Sequence, residues 1–237
     1  MKKADTIAII PARGGSKRIP KKNIKPFCGK PMIAYSIEKA IGTGLFSRVI
    51  VSTDDHEIAE IAVRFGAQVP FTRPGELADD FTVTMDVIRH AITWLNEHDR
   101  EYSFACCIYP TAPFIREEDL KEGFERIQDD EVHFSFPVTT FASSIFRALK
   151  LTENNRLGMF WPEYLNTRTQ DLPEAFHDTG QFYWGKTKSF LQSDSIFGEY
   201  TSPLIIPRHL AHDIDTPEDW RRAELMFQAL YGSNVSP

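Results

Sequence analysis

Two stretches of this chain hold residues whose types and spacing could do chemistry. In IIPARGGSKRIPKKNI, Ile9 to Ile24, an apolar run meets Gly14 and Gly15, with Arg13 before them and Lys17, Arg18, Lys21 and Lys22 after. Near the other end, HDIDTPED sets Asp213 and Asp215 two positions apart. The backbone N–H groups of a glycine loop and a set of cations can both reach a polyphosphate. Arg13 offers a planar fork to phosphate oxygens and Lys22 a point charge. In an extended segment Asp213 and Asp215 share a face and can share a hard cation; Mg2+ takes one or two carboxylates together with substrate phosphate oxygens. Such a pairing points to a nucleoside triphosphate or a nucleotide sugar.

The loop is neither a GxxxxGK(S/T) phosphate loop nor a GxGxxG dinucleotide fingerprint. Its plain alternative is a solvated basic turn. For the aspartates the alternative is a turn before the last helix, but Thr216 is already suited to cap that helix. Nucleotidyltransferases carry a basic glycine loop after the first strand and release pyrophosphate. Glycosyltransferases with a DxD carry it in mid-chain, whereas here it is near the end.

The elements that must position these residues follow from hydrophobic period and punctuation. TIAIIP, RVIVST, FACCIYP, HFSFPVT, GQFYWGK and SPLIIP read as strands. PMIAYSIEKAIGTG, DDHEIAEIAVRFG, TVTMDVIRHAITWLNEHD and REEDLKEGFERIQDD read as helices, as does DTPEDWRRAELMFQALYG, with Thr216 as N-cap, Pro217 at the first position and Gly232 as terminator. This alternation predicts a doubly wound, Rossmann-like α/β fold with a mostly parallel sheet, whose ligands bind at the carboxyl ends of the strands. From about Phe141 to His177 the rhythm breaks. The expectation is one domain over residues 1–237, with 141–177 as an irregular insertion.

The 237 residues carry a net charge of -6, which argues against a broad nucleic-acid or membrane surface and makes the basic loop a local exception. No apolar run approaches the ~20 residues of a bilayer span. The opening MKKADTIAIIPARGG has too short an apolar run for a signal peptide. Adjacent Cys106 and Cys107 should point to opposite faces of a strand as small buried hydrophobes, and a cytoplasmic protein is expected.

Together, IIPARGGSKRIPKKNI, VSTDD, RPGELADD, YPTAPF and HDIDTPEDW resemble, in order, the motifs of the cytidylyltransferases that activate nine-carbon acidic sugars. These are the CMP-sialic acid synthetases and their pseudaminic and legionaminic acid relatives. The resemblance runs from Ile9 to the last helix and implies a nucleotidyltransferase fold. It also implies a reaction: CTP and a 2-keto-3-deoxy acidic sugar give the CMP-sugar and pyrophosphate, the anomeric hydroxyl attacking the α-phosphorus. On this likeness Arg13, Ser16 and Lys22 hold the triphosphate, within a loop that includes Ala12 and Gly14, and Asn23 helps to position it. Arg73 and Thr84 meet the nucleotide, and Asp213 and Asp215 bind Mg2+. Arg13, Lys22, Asp213 and Asp215 are then the catalytic set, since phosphoryl-type transfer rests on positioning and charge neutralisation. No side chain stands out as general base. A homodimer is also implied, with 141–177 as its arm and Arg147 near a basic residue supplied across the interface.

The acceptor end departs from the sialic acid enzymes, which carry a glutamine where IYPTAPFIR has Tyr109. A phenol cannot donate and accept as an amide does, so the pocket must differ, unless Tyr109 only packs. HDTGQFYWGK and RHLAHDIDTPEDW look more like the pseudaminic acid branch, which makes pseudaminate the expected sugar and N-acetylneuraminate or legionaminate the alternatives. Gln181 and Tyr183 join Tyr109 on the sugar side. Phe182, Tyr183 and Trp184 are candidate lining, with core packing the alternative for two of the three. Arg168 lines up with a family arginine proposed to meet the sugar carboxylate; a surface arginine is its alternative. His177, His209 and His212 lack metal spacing and read as pocket-edge residues. A DxD glycosyltransferase and a nucleotide-binding protein with a dead site are the competing classes; intact Arg13, Lys22, Asp213 and Asp215 speak against the second.

Overall fold

β-branched apolar runs alternating with amphipathic stretches bury their apolar sides by packing helices on a sheet. The computed structural model describes residues 5–232; Lys2 and Lys3 of the opening stretch, and both ends of the single domain expected over 1–237, lie outside the described residues. β1 (Thr6–Pro11) is followed by a short hairpin of β2 (Pro26–Phe27) and β3 (Lys30–Pro31), then α1 (Met32–Gly42), β4 (Arg48–Ser52) and α2 (His56–Arg64). Next come α3 (Thr84–His98), β5 (Phe104–Ile108), α4 (Glu117–Ile127) and β6 (Phe134–Thr140). A separate hairpin, β7 (Leu149–Leu151) with β8 (Leu157–Met159), precedes β9 (Phe176–Asp178), β10 (Phe182–Lys186), α5 (Thr187–Gln192), β11 (Thr201–Ile205) and α6 (Pro217–Tyr231). Asp55 caps α2 by accepting from the Ile58 N–H, and Thr216 with Asp219 forms a capping box on α6. Gly232 follows α6 at φ −65°, so the helix ends without a left-handed turn.

Among the described residues, seven strands form one sheet in the order β11-β6-β10-β5-β1-β4, with β9 also on β6. β1 is parallel to β4 and β5, and β11 to β6, but β10 runs antiparallel to both β5 and β6. The mostly parallel, doubly wound sheet expected from sequence is therefore corrected to a mixed one. The chain leaves β6 at its carboxyl end, wanders through 141–177, and re-enters on that same side through β9, which pairs antiparallel to β6. No helix carries it back across the sheet, so β10 must run downward.

Period-two alternation sends Cys106 to one face, among Ile10, Ile37 and Trp184, and Cys107 to the other, among Ile9, Ile88 and Phe190. Both thiols are free and buried, and burial raises their pKa. A third cluster joins Phe27 of the β2–β3 hairpin to Trp220 and Phe227 of α6, with Phe27 and Trp220 edge-to-face at 5.4 Å. It also buries Ile214, which anchors the aspartates on either side of it. The 141–177 segment leaves Phe141, Leu149, Leu151, Leu157, Phe160 and Leu165 exposed. No helix among the described residues is long and apolar enough to cross a membrane.

β10 crosses the core on a glycine: a Cβ at Gly185 would lie 2.5 Å from Phe190 Cε2 and 2.8 Å from Phe134 Cδ1. Gly185→Ala is expected to cost ~1–3 kcal/mol through overpacking. Urea unfolding would show this as a lower midpoint with an unchanged slope.

Candidate nucleotide-binding site

The carboxyl ends of β1, β4 and β5 meet on one edge of the sheet, and the basic loop leaves β1 there. It is braced before any ligand is considered. The Ala12 N–H donates to Ser52 O (2.9 Å), extending the β1–β4 pairing by a residue. The Gly14 N–H donates to Asp54 Oδ1 (3.0 Å), and Asn23 Nδ2 donates to Arg13 O (2.9 Å), closing the loop on itself. A Cβ on Gly14 would sit 2.7 Å from Asp55 Oδ2, so glycine is required there by the aspartate that caps α2.

Opposite the loop lie the end of β5 and the segment before α3, across a cleft of about 580 Å³. Arg13, Ser16, Lys22, Asn23, Arg73, Thr84, Tyr109 and Asp215 all line it, joined by Lys17, Arg18, Asp79, Asp80 and Thr82. Lys22 Nζ donates to Ile214 O (2.8 Å) and Asp215 Oδ1 (3.1 Å), and Arg18 pairs with the other oxygen of Asp215 at 2.8 Å. The basic loop and one half of the DxD thus stand together.

Arg73 is a strut as well as a wall of the cleft. Only 4% exposed, it donates from Nε to Ser52 Oγ (3.1 Å) and from Nη2 to Ser52 O, while its N–H donates to Thr53 O (2.8 Å). Burial lowers its guanidinium to about 10.

Tyr109 closes the cleft on the other side. Its Oη lies 3.2 Å from Thr84 Oγ1, its N–H donates to Gln181 O (2.8 Å), and its carbonyl accepts from Ser36 Oγ (2.7 Å). Burial pushes the phenol up to about 12, so it is a neutral hydroxyl. Thr84 and Tyr109 also line a second cavity of about 340 Å³, walled by Val83, Met85, Ile88, Phe190, Ile196 and Phe197. Tyr183 reaches that cavity and donates to Asp178 Oδ1 (3.0 Å).

Several sequence-expected residues lie elsewhere. Ala12 is fully buried and Gly14 spends its N–H on Asp54. Gln181 is buried, with Nε2 donating to Leu210 O (2.6 Å). Phe182 and Trp184 are core, the indole donating to Leu120 O (2.9 Å), so of the three aromatics Tyr183 alone meets a cavity. Asp213 lies outside the cleft lining; partial desolvation and then the Asp215 charge raise its carboxyl. Arg168 is exposed on the irregular segment and pairs with Asp171 at 2.6 Å. Arg147 donates to Leu165 O (3.2 Å) and Thr167 O, tying that segment to itself. His177, His209 and His212 do not line the cleft, and no group of three metal-ligating side chains occurs among the described residues. Sequence reasoning missed Asp79 and Asp80, although the doubled acid after the Arg73 turn was a visible signal. It also missed Asp178, which had none.

A sheet edge with a braced cationic loop facing a carboxylate suits a nucleotide-dependent transferase. Residues 7–204 match the protein family described as Cytidylyltransferase, and the chain belongs to that family. It is 43% identical to a pseudaminic acid cytidylyltransferase of Campylobacter jejuni, over 96% of this chain and 98% of that protein. It is 32% identical to a CMP-N,N'-diacetyllegionaminic acid synthase of Legionella pneumophila, over 94% and 96% of the two chains. Its fold is similar to that of a CMP:2-keto-3-deoxy-manno-octonic acid synthetase complexed with CTP, with a TM-score of 0.69 at 16% identity, covering 95% of this chain and 99% of that one.

Because a lysine cannot reproduce the Arg73 fork, Arg73→Lys should leave the buried Ser52 acceptors short of partners. The expected loss is ~1–3 kcal/mol in urea unfolding, together with weaker CTP binding in calorimetric titration.

Proposed function

We propose that this protein is a pseudaminic acid cytidylyltransferase, converting CTP and pseudaminate to CMP-pseudaminate and pyrophosphate. The observation that carries this reading is the 43% identity, over nearly the whole of both chains, to a relative of that name. The cleft supports it: Arg13, Ser16, Lys22 and Asn23 face one space with Arg73, Thr84 and Tyr109. In the reaction, Arg13 and Lys22 hold the triphosphate and neutralise the charge that grows on the leaving pyrophosphate. Ser16 and Asn23 orient it, with Ala12 and Gly14 shaping the loop's backbone, while Arg73 and Thr84 fix the nucleoside end.

The chemistry of Asp213 and Asp215 suits Mg2+. Burial and then the Asp215 charge raise the Asp213 carboxyl, and a divalent cation would relieve both. When bound, the ion supplies positive charge to the phosphate oxygens.

Tyr109 and Tyr183 form the sugar side, with Gln181 holding Tyr109 through its carbonyl. The largely apolar cavity that both tyrosines line suits the methyl and acylamino groups of pseudaminate better than a glycerol tail. Arg168 meets the sugar carboxylate, and a second copy of the chain completes a homodimer. In that homodimer the 141–177 arm, whose apolar residues are exposed, lies over the neighbouring site of a single-domain, cytoplasmic subunit.

The test is pyrophosphate release from CTP and Mg2+ with pseudaminic, legionaminic and N-acetylneuraminic acids in parallel. Release with pseudaminate is expected. Release with another sugar alone would keep the reaction and overturn the substrate, and release with none would overturn both. Lys22→Ala is expected to lower kcat/KM for CTP by about 10²-fold, and unchanged kinetics would remove the lysine from the mechanism.

A further inference from the structure

Two acids in the cleft, Asp79 and Asp80, have no part in the mechanism above. Asp80 presents its carboxylate to two cations of the basic loop: Arg13 Nη1 donates to Oδ1 at 2.7 Å, and Lys17 pairs with Oδ2. The same Nη1 also donates to Asp79 O at 2.6 Å. The turn is built to keep Asp80 there. Asp79 Oδ1 accepts from the Phe81 N–H (2.9 Å), the Thr82 N–H (2.7 Å) and the Thr82 hydroxyl (2.7 Å). Asp80 itself is held below the usual carboxylate range by Lys17 and then Arg13, so it stays an anion at neutral pH.

A carboxylate inside a triphosphate cradle works against the ligand. Phosphate oxygens and Asp80 want the same N–H groups and repel each other at that distance. Arg13 Nη1, already shared between Asp79 O and Asp80, cannot serve a phosphate oxygen fully until Asp80 gives way. The two ligands in this competition, CTP and pyrophosphate, are not equal. CTP is also held through its nucleoside end, whereas pyrophosphate after transfer has only the cations, so competition weighs more on the product.

We propose that Asp80 is a resident counter-ion of the cradle, which holds Arg13 and Lys17 in place, yields them to the incoming triphosphate, and reclaims them to displace pyrophosphate. The proposal rests on the cytidylyltransferase reading and adds to it a residue that sets product release.

The experiment is calorimetric titration of inorganic pyrophosphate with Mg2+ into the wild type, Asp80→Asn and Asp80→Glu, at two salt concentrations. Asp80→Asn should bind pyrophosphate about three- to tenfold more tightly, as removal of an exposed competing charge allows. Its affinity should also fall more steeply with salt. Asp80→Glu should return toward wild type. In a Lys17→Met background the Asp80→Asn gain should shrink, since one of the contested cations is gone. Equal or weaker pyrophosphate binding by Asp80→Asn would overturn the proposal and leave Asp80 as a prop for the loop; so would a gain that ignores Lys17. The titration uses no sugar. Its failure therefore leaves the transfer reaction standing, while a wild type that releases no pyrophosphate from CTP with any sugar would sink the reaction itself.

Discussion

The arrangement of the cleft depends on Lys22 reaching the 214–215 segment, 193 positions away from it at Asp215. That contact joins the basic loop after β1 to the carboxylates before α6. It is possible because Phe27 packs on Trp220 and Phe227, which locks the hairpin after the loop against the last helix. The loop is then held from three sides: by Asp54 at Gly14, by Asn23 at the Arg13 carbonyl, and by Lys22 at the aspartate segment. Charge stabilisation in transfer chemistry depends on donors that need not reorganise when charge arrives, and these bonds supply that rigidity.

The antiparallel β10 has a second consequence. Its register against β5 sets Tyr183 opposite Cys107, and just beyond the pairing Gln181 O takes the Tyr109 N–H. The end of β5 is thus fixed by a strand that a fully parallel sheet would not have supplied there. Tyr109 in turn reaches Thr84 at the start of α3, so a single phenol separates the polar cleft from the apolar cavity. A glutamine at that position would offer an amide to both sides; the phenol offers one hydroxyl to Thr84 and a ring to Tyr183.

Acids in and beside the cleft divide by partner. Asp54 and Asp55 serve the backbone, bracing the loop and capping α2. Asp79 closes its own turn. Asp80 and Asp215 face cations directly, at opposite ends of the basic loop. A chain with net charge -6 can carry so cationic a loop because its counter-charges are close at hand rather than spread over the surface.

The residues alone determined the long elements, because hydrophobic period and caps such as Asp55 and Thr216 act within one or two turns of chain. They also marked the loop and Asp215 as candidates for one site, which the Lys22–Asp215 contact brings together, and showed the opposite facing of Cys106 and Cys107, which is a matter of strand period. What tertiary structure decided was long-range. The direction of β10 depends on which side of the sheet the chain re-enters, and no local pattern encodes that. The short strands β7, β8 and β9 have too few residues to show a period. Phe182 and Trp184 went to the core and Tyr183 to a cavity because helices cover both faces of the sheet, so alternation showed that the faces differ but not which one opens. Arg73, which the resemblance set at the nucleotide, is a buried strut, because its partner Ser52 lies on a strand 21 positions earlier. Contacts between distant segments form only when the whole sheet closes, and that closure is what the sequence cannot display one stretch at a time.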